Sequence, residues 1–213
     1  MSTITFLTTF LITADLFQIR HFVIGLMDPT VEKSHLRDKR ILKLIKDVGG
    51  FKLEKIWVIK SKRMFGGMSG FVIKPVMFLS SKLLEVLDPK ELDYVVLHEV
   101  AHFKFHHPLL LTVTQGVLIV SGIYMVHSGP LYIAFSVAFL LGIIYIQIAR
   151  ITERVAENFA ASNIADPIDM ISAIEKFEAQ WMNRRRKRIF MRVFSWNIPY
   201  PEKKEIAMRY IED

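Results

Sequence analysis

Two histidines four residues apart, with a glutamate directly after the first, stand at His98-Glu99-Val100-Ala101-His102. On an α-helix, positions four apart lie on one face, so both imidazoles can reach a single ion. Glu99 lies ~100° further round the axis, placed to take a proton from water rather than to ligate. His-Glu-x-x-His on a helix therefore points to a zinc hydrolase, in which the metal acidifies a water and the glutamate acts as general base. The bland reading of the same five residues is two ordinary helix histidines, one packed and one solvated. Asp88-Pro89-Lys90-Glu91 just upstream supports the helix, with Asp as N-cap, Pro at the first position and Glu at the third.

A catalytic zinc takes three protein ligands and leaves one position open. His106 shares a face with His98 and His102, but it stands eight residues beyond His98, ~12 Å along the axis. Nitrogens that must each sit ~2.1 Å from one ion cannot span that. His106 and His107 read instead as an interfacial pair near the substrate, with structural roles. Glu153 and Glu157, also four apart, are the better candidates. Most glutamates are solvated surface residues, so position must argue for these two.

The position comes from the segment between. Leu109–His127 and Leu131–Ala149 hold no formal charge and few polar residues. At ~1.5 Å per residue, each run spans most of the ~30 Å hydrocarbon core of a bilayer. Only Ser128-Gly129-Pro130 separates them, a tight turn. The pattern predicts a transmembrane helical hairpin over 109–149; the competing reading is a pair of buried helices in a soluble core. A hairpin enters and leaves on the same membrane face, so Glu153 returns beside His98 and His102. Upstream, Asp28-Pro29 predicts a helix over 28–48 that stops at Gly49-Gly50. Lys55–Lys60 reads as a strand, Gly66–Gly70 as a turn, and Phe71–Leu79 as a second strand with Pro75 marking an edge or bulge. Ser80 or Ser81 caps a short helix to Leu87, and the zinc-motif helix runs on to Pro108. Helices follow over Arg150–Ser162, Pro167–Phe190 and Glu202–Ile211. Residues 1–27, apolar from Ile4 to Ala14, form a membrane or interfacial segment. The expected division is 1–27, a first catalytic part 28–108, the hairpin 109–149, and a second catalytic part 150–213.

The zinc motif, the hairpin, and then Glu153-Arg154-Val155-Ala156-Glu157 together resemble the HtpX-like and CAAX prenyl endopeptidase family of membrane gluzincins. His107 matches an additional histidine often found five residues past the motif. The resemblance implies a gluzincin-type catalytic domain, mainly α with a small β-hairpin or sheet, interrupted by the membrane hairpin. It implies one zinc per chain held by His98, His102 and Glu153, with Glu99 as base. Glu157, where the family has aspartate, would orient a zinc histidine. Arg150, three residues before the ligand glutamate, also fits. The family's Asn-Ala-Phe strand segment is missing, with Gly67–Phe71 in its region. The histidine or arginine that the family often supplies from its C-terminal segment to steady the oxyanion has no histidine counterpart, since none follows His127. Tyr200, Asn197 and Arg192 are the candidates for that role, and His107 for a contact with oxyanion or substrate.

Hydrophobic residues make up 52% of the chain and charged ones 23%, with mean hydropathy +0.31 and pI about 9.6. That mixture means segregation of apolar and charged segments. Cysteine is absent, which excludes disulfides and thiolate chemistry and leaves histidine and carboxylate as zinc ligands. The net charge of +7 and the run Arg184–Arg188 carry no nucleic-acid motif; the run reads as a solvated, membrane-facing surface. Lys104, Arg150, Arg154 and that run, against an uncharged turn, place the catalytic side in the cytoplasm of a multi-pass protein. The expected activity is endoproteolysis of protein or peptide substrates, of the HtpX quality-control type. A prenylated peptide is the competing substrate. A catalytically silent membrane zinc protein or scaffold is the competing function.

Overall fold

The computed structural model describes residues 32–69, 75–128, 130–182 and 197–212. Their order is β1 (Lys33–His35), α1 (Lys39–Leu44) running into one π-helical turn (Ile45–Gly49), β2 (Lys55–Ile59), β3 (Gly66–Ser69), β4 (Val76–Ser80) and α2 (Ser81–Val86). Then come α3 (Pro89–Lys104), α4 (His107–Ser128), α5 (Leu131–Asn163), α6 (Pro167–Met182) and α7 (Tyr200–Glu212). The molecule is mainly helical with a small mixed sheet. The expected segment 1–27 and the basic run 184–188 lie outside the described residues.

The strands lie in the order β1-β2-β4-β3, with β2 and β4 parallel and each outer strand antiparallel to its neighbour. Two expectations are corrected here. Of the strand foreseen at Phe71–Leu79, residues 71–74 lie outside the described residues and residues 76–79 fall in β4, which lies inside the sheet, so of the edge or bulge that Pro75 suggested the edge is excluded. In place of the turn foreseen at Gly66–Gly70, Gly66–Ser69 form the edge strand β3, whose Met68 pairs with Met77, and Gly70 lies outside the described residues. The helix foreseen over 28–48 is also shorter. Lys33–His35 pairs with β2, and α1 starts at Asp38, whose carboxylate accepts hydrogen bonds from the Arg40 and Ile41 amides. It stops, as foreseen, at Gly50, which adopts φ 77°. A Cβ on Gly49 would sit 3.0 Å from Val100 Cγ1, so glycine there lets the π turn close onto α3.

The core lies between the sheet and α3. Ile41, Ile45, Ile56, Met77, Leu79, Leu83, Val96, Leu97 and Val100 are all buried. Each such side chain contributes ~1.5–3 kcal/mol relative to exposure, so α3 is held rigidly along its length. Its start carries the foreseen capping box: Asp88 accepts from the Lys90 and Glu91 amides, and Glu91 accepts from the Asp88 amide. Glu91 also accepts from Ser172 and Lys176 of α6, tying the two helices together.

The α3 helix ends at Lys104, short of the expected Pro108. His106 adopts φ 54°, and its carbonyl accepts the Leu110 amide that opens α4. Pro108 therefore falls in the first turn of a new helix, where its missing N–H costs nothing. Helix α5 is continuous from Leu131 to Asn163, so Glu153 and Glu157 ride on the returning helix itself. Leu109, Val113, Val117, Tyr124, Phe139 and Leu140 are exposed along α4 and α5. Among the described residues, no helix is long and apolar enough to cross a membrane.

Candidate metal centre

His98 and His102 project from one face of α3, and Glu153 comes up to them from α5. The two Nε2 atoms are 3.0 Å apart. Glu153 Oε2 lies 3.8 Å from His98 Nε2, and its Oε1 lies 3.5 Å from His102 Nε2. Among the described residues, this is the one group of three ligating side chains whose atoms lie within 4.8 Å of one another. With tetrahedral zinc bonds of ~2.0–2.1 Å, ligand atoms sit about 3.3 Å apart, a value the three separations bracket. Two imidazoles and one carboxylate are also the donor set that suits zinc. The residues fit the ion.

Behind each histidine stands a partner. His98 Nδ1 is buried, makes no hydrogen bond of its own, and lies 3.4 Å from Glu157 Oε1. His102 Nδ1 lies 3.1 Å from His107 Nδ1. A histidine that ligates through Nε2 carries its proton on Nδ1, so each partner has to accept there. Glu157 is fully buried, one turn after Glu153 on α5. Tyr94 OH donates to its Oε2 at 2.9 Å, and Lys203 Nζ donates to its Oε1. Burial alone would raise its pKa, but Lys203 and His98 hold it well below the carboxylate range. Burial also disfavours a charged His98, and the Glu157 carboxylate outweighs this, so its pKa is raised. Burial, helped by His98 and His107, keeps His102 well below its ordinary value, and burial brings His107 down to about 4. His107 is thus a neutral acceptor.

Glu99 is half-buried and turned toward β3. Burial, reinforced by Glu153, raises its pKa, against which His98 and the Met68 amide act. A cleft of about 220 Å³ opens in front of His98 and Glu99, and Asn197, Tyr200 and Lys203 line it. Met64, Val95, Ile174 and Phe177 form its apolar wall. Asn197 and Tyr200, foreseen as oxyanion candidates, therefore reach the cleft. Arg192 lies outside the described residues. His107, foreseen as a contact with oxyanion or substrate, is 4% exposed and sits behind His102. The break at His106 puts it there. His106 itself is absent from the cluster; it lies past the end of α3, at the left-handed break, so the axial distance assumed for a continuous helix does not apply.

Three participants went unforeseen. Tyr94 stands one turn before His98 on the same face, a spacing that could have disclosed it. Lys203 sits in a Lys-Lys pair on α7, with no local signal. β3 lies hard against α3: a Cβ on Gly66 would sit 2.9 Å from Val95 Cγ1 and 3.6 Å from Glu99 Oε1.

Comparison with known proteins extends this picture. No curated protein sequence matches the chain at a significant level. Among solved structures, the fold is similar to that of Ste24p from S. mikatae, with TM-score 0.65 and 15% identity; the match covers 95% of this chain and 58% of that protein. The chain thus spans little more than half the length of that neighbour. The profile of peptidase family M48 matches residues 33–196, a stretch that holds the zinc motif and the Glu153–Glu157 block. This protein therefore belongs to peptidase family M48, the family of peptidases to which those two blocks pointed.

Proposed function

We propose that the chain is a zinc-dependent membrane endopeptidase of the HtpX type, with Glu99 as its general base. The observation that carries this reading is the convergence of His98, His102 and Glu153 beside the cleft that Glu99 lines. Zinc held there would polarise a scissile carbonyl and lower the pKa of a water molecule. A carboxylate of Glu99 takes a proton from the attacking water and passes it to the leaving amine. Its raised pKa favours the first half of that exchange, because a weakly basic carboxylate would accept the proton poorly. Glu157 and His107 keep the two imidazoles in the ligating tautomer. Tyr200 and Asn197 are the cleft donors that suit a developing oxyanion. An extended peptide would add to the outer edge of β3, which pairs with no other strand among the described residues, with an apolar side chain against Met64, Ile174 and Phe177.

Membrane anchoring through α4 and α5 is supported by their uncharged runs and by their exposed apolar side chains. Each large side chain left in water forgoes ~1.5–3 kcal/mol, and a continuous face of them calls for an apolar surrounding. Lys104, Arg150 and Arg154 flank the site end of the hairpin, which favours a cytoplasmic cleft. Protein substrates drawn from damaged or misassembled membrane proteins suit a cleft at that surface. A silent zinc protein is the competing reading, favoured by the lack of a histidine after His127. The test is proteolysis of unfolded casein by protein purified in detergent. One zinc per chain, cleavage abolished by 1,10-phenanthroline and recovery on adding zinc are expected. Cleavage indifferent to chelation contradicts the proposal.

A further inference from the structure

Glu157 joins three helices: it stands on one and is held by side chains from two others. His98 and Tyr94 face it from α3, its own backbone belongs to α5, and Lys203 reaches it from α7. Lys203 is 7% exposed. Its helix is fixed in register by Ile206 and Ala207, which share its face and are buried in the core. Glu153 and Glu157 straddle the His98 ring, one on the Nε2 side and the other on the Nδ1 side. The direction in which His98 Nε2 points therefore depends on where the Glu157 carboxylate sits. A glutamate side chain has three rotatable bonds and would swing freely if only one oxygen were held. Tyr94 holds Oε2 and Lys203 holds Oε1, and a buried carboxylate without a cation would move toward water.

We propose that Lys203 is a positioning residue of the metal centre: it clamps Glu157 and thereby fixes His98 with Nε2 toward His102 and Glu153. The C-terminal helix α7 is then a working part of the zinc site although it supplies no ligand. This inference rests on the reading of His98, His102 and Glu153 as metal ligands. It assigns α7 a task distinct from the cleft-lining one of Tyr200.

The experiment measures zinc dissociation constants by chelator competition on the full chain in detergent, with circular dichroism and thermal midpoint as checks of folding. Loss of a partner that orients a metal ligand weakens binding ~10–100-fold, and this is expected for Lys203→Met. Lys203→Arg should recover affinity to within about threefold, since it restores the cation, whereas a role in packing alone would not distinguish the two. In a Glu157→Gln background, Lys203→Met should have no further effect. That comparison is read between Glu157→Gln and the double variant, so it holds even where Lys203→Met alone fails to fold. Unchanged affinity in Lys203→Met overturns the proposal, as does an equal loss with and without Glu157. An unsubstituted protein that binds no zinc overturns the metal reading itself, which separates the two failures.

Discussion

Gly66→Ala probes the contact between the edge strand and the catalytic helix with a single methyl group. The added Cβ would lie 2.9 Å from Val95 Cγ1, 3.5 Å from Glu99 Cγ and 3.6 Å from Glu99 Oε1. Val95 is buried and cannot turn away, and α3 is locked by the core and by its capping box. The clash is with Val95, since the two Glu99 distances are ordinary contacts, so β3 must give by several tenths of an ångström and carry with it the Met68 backbone that hydrogen-bonds Glu99. Overpacking of this kind costs about 1–3 kcal/mol, and for a chain of this size each kcal/mol lowers Tm by roughly 2–4 °C. A misplacement approaching 1 Å at a reacting group costs up to ~100-fold in rate, so kcat should fall about 10- to 100-fold. Zinc affinity should hold, because the atoms nearest the added Cβ belong to Val95 and Glu99 rather than to the three ligands. Gly67→Ala is the internal control, since a Cβ there meets nothing within 4 Å. Casein cleavage, zinc titration and thermal melts on both variants decide the matter. A Gly66→Ala enzyme as active as Gly67→Ala would refute the packing of β3 against Glu99.

Other expectations follow from the same geometry. His107→Phe removes the acceptor behind His102 Nδ1, so zinc affinity should weaken ~10–100-fold in chelator competition. Tyr200→Phe should lower kcat by about 10- to 100-fold and leave the zinc constant unchanged, if its hydroxyl steadies the oxyanion. Burial works to raise the pKa of Glu91, but Lys176, Ser172 and the Asp88 amide outweigh it and hold it below 4.5. A carboxylate depressed in the folded state stabilises above its unfolded pKa and loses that contribution as pH falls through the folded value. Glu91→Gln should therefore lower stability by about 1–3 kcal/mol at neutral pH, and its melting curve should converge on that of the unsubstituted protein below pH 4.5.

The parts of the site that were legible in the sequence are those written in local spacing or in simple topology. The α3 helix announces itself by Asp88, Pro89 and Glu91, and two histidines one turn apart must share its face. Glu153 was legible because a hairpin returns its chain to the point of departure. The rest depends on contacts with no local signature. Lys203 meets Glu157 only after α7 has packed on α5 and α6, and nothing in Glu202-Lys203-Lys204 distinguishes one lysine from the other. Two adjacent glycines read as a turn at 66–67, whereas Gly66 is glycine because β3 must lie against Val95 and Glu99. The left-handed residue that ends α3 is His106 rather than the usual glycine, so the break that carries His107 behind His102 was invisible. The order of the strands, with β4 inside the sheet, likewise follows from a parallel pairing that strand propensity does not encode.

The general-base role of Glu99 is tested by comparing the unsubstituted protein with Glu99→Gln, both loaded with zinc in detergent, on an unfolded protein substrate. Equal zinc content is expected, with cleavage by the first and a loss of at least ~100-fold in the second. Cleavage that survives in Glu99→Gln would contradict the general-base role, and zinc binding by both without cleavage by either would contradict the peptidase reading and favour a silent metal protein.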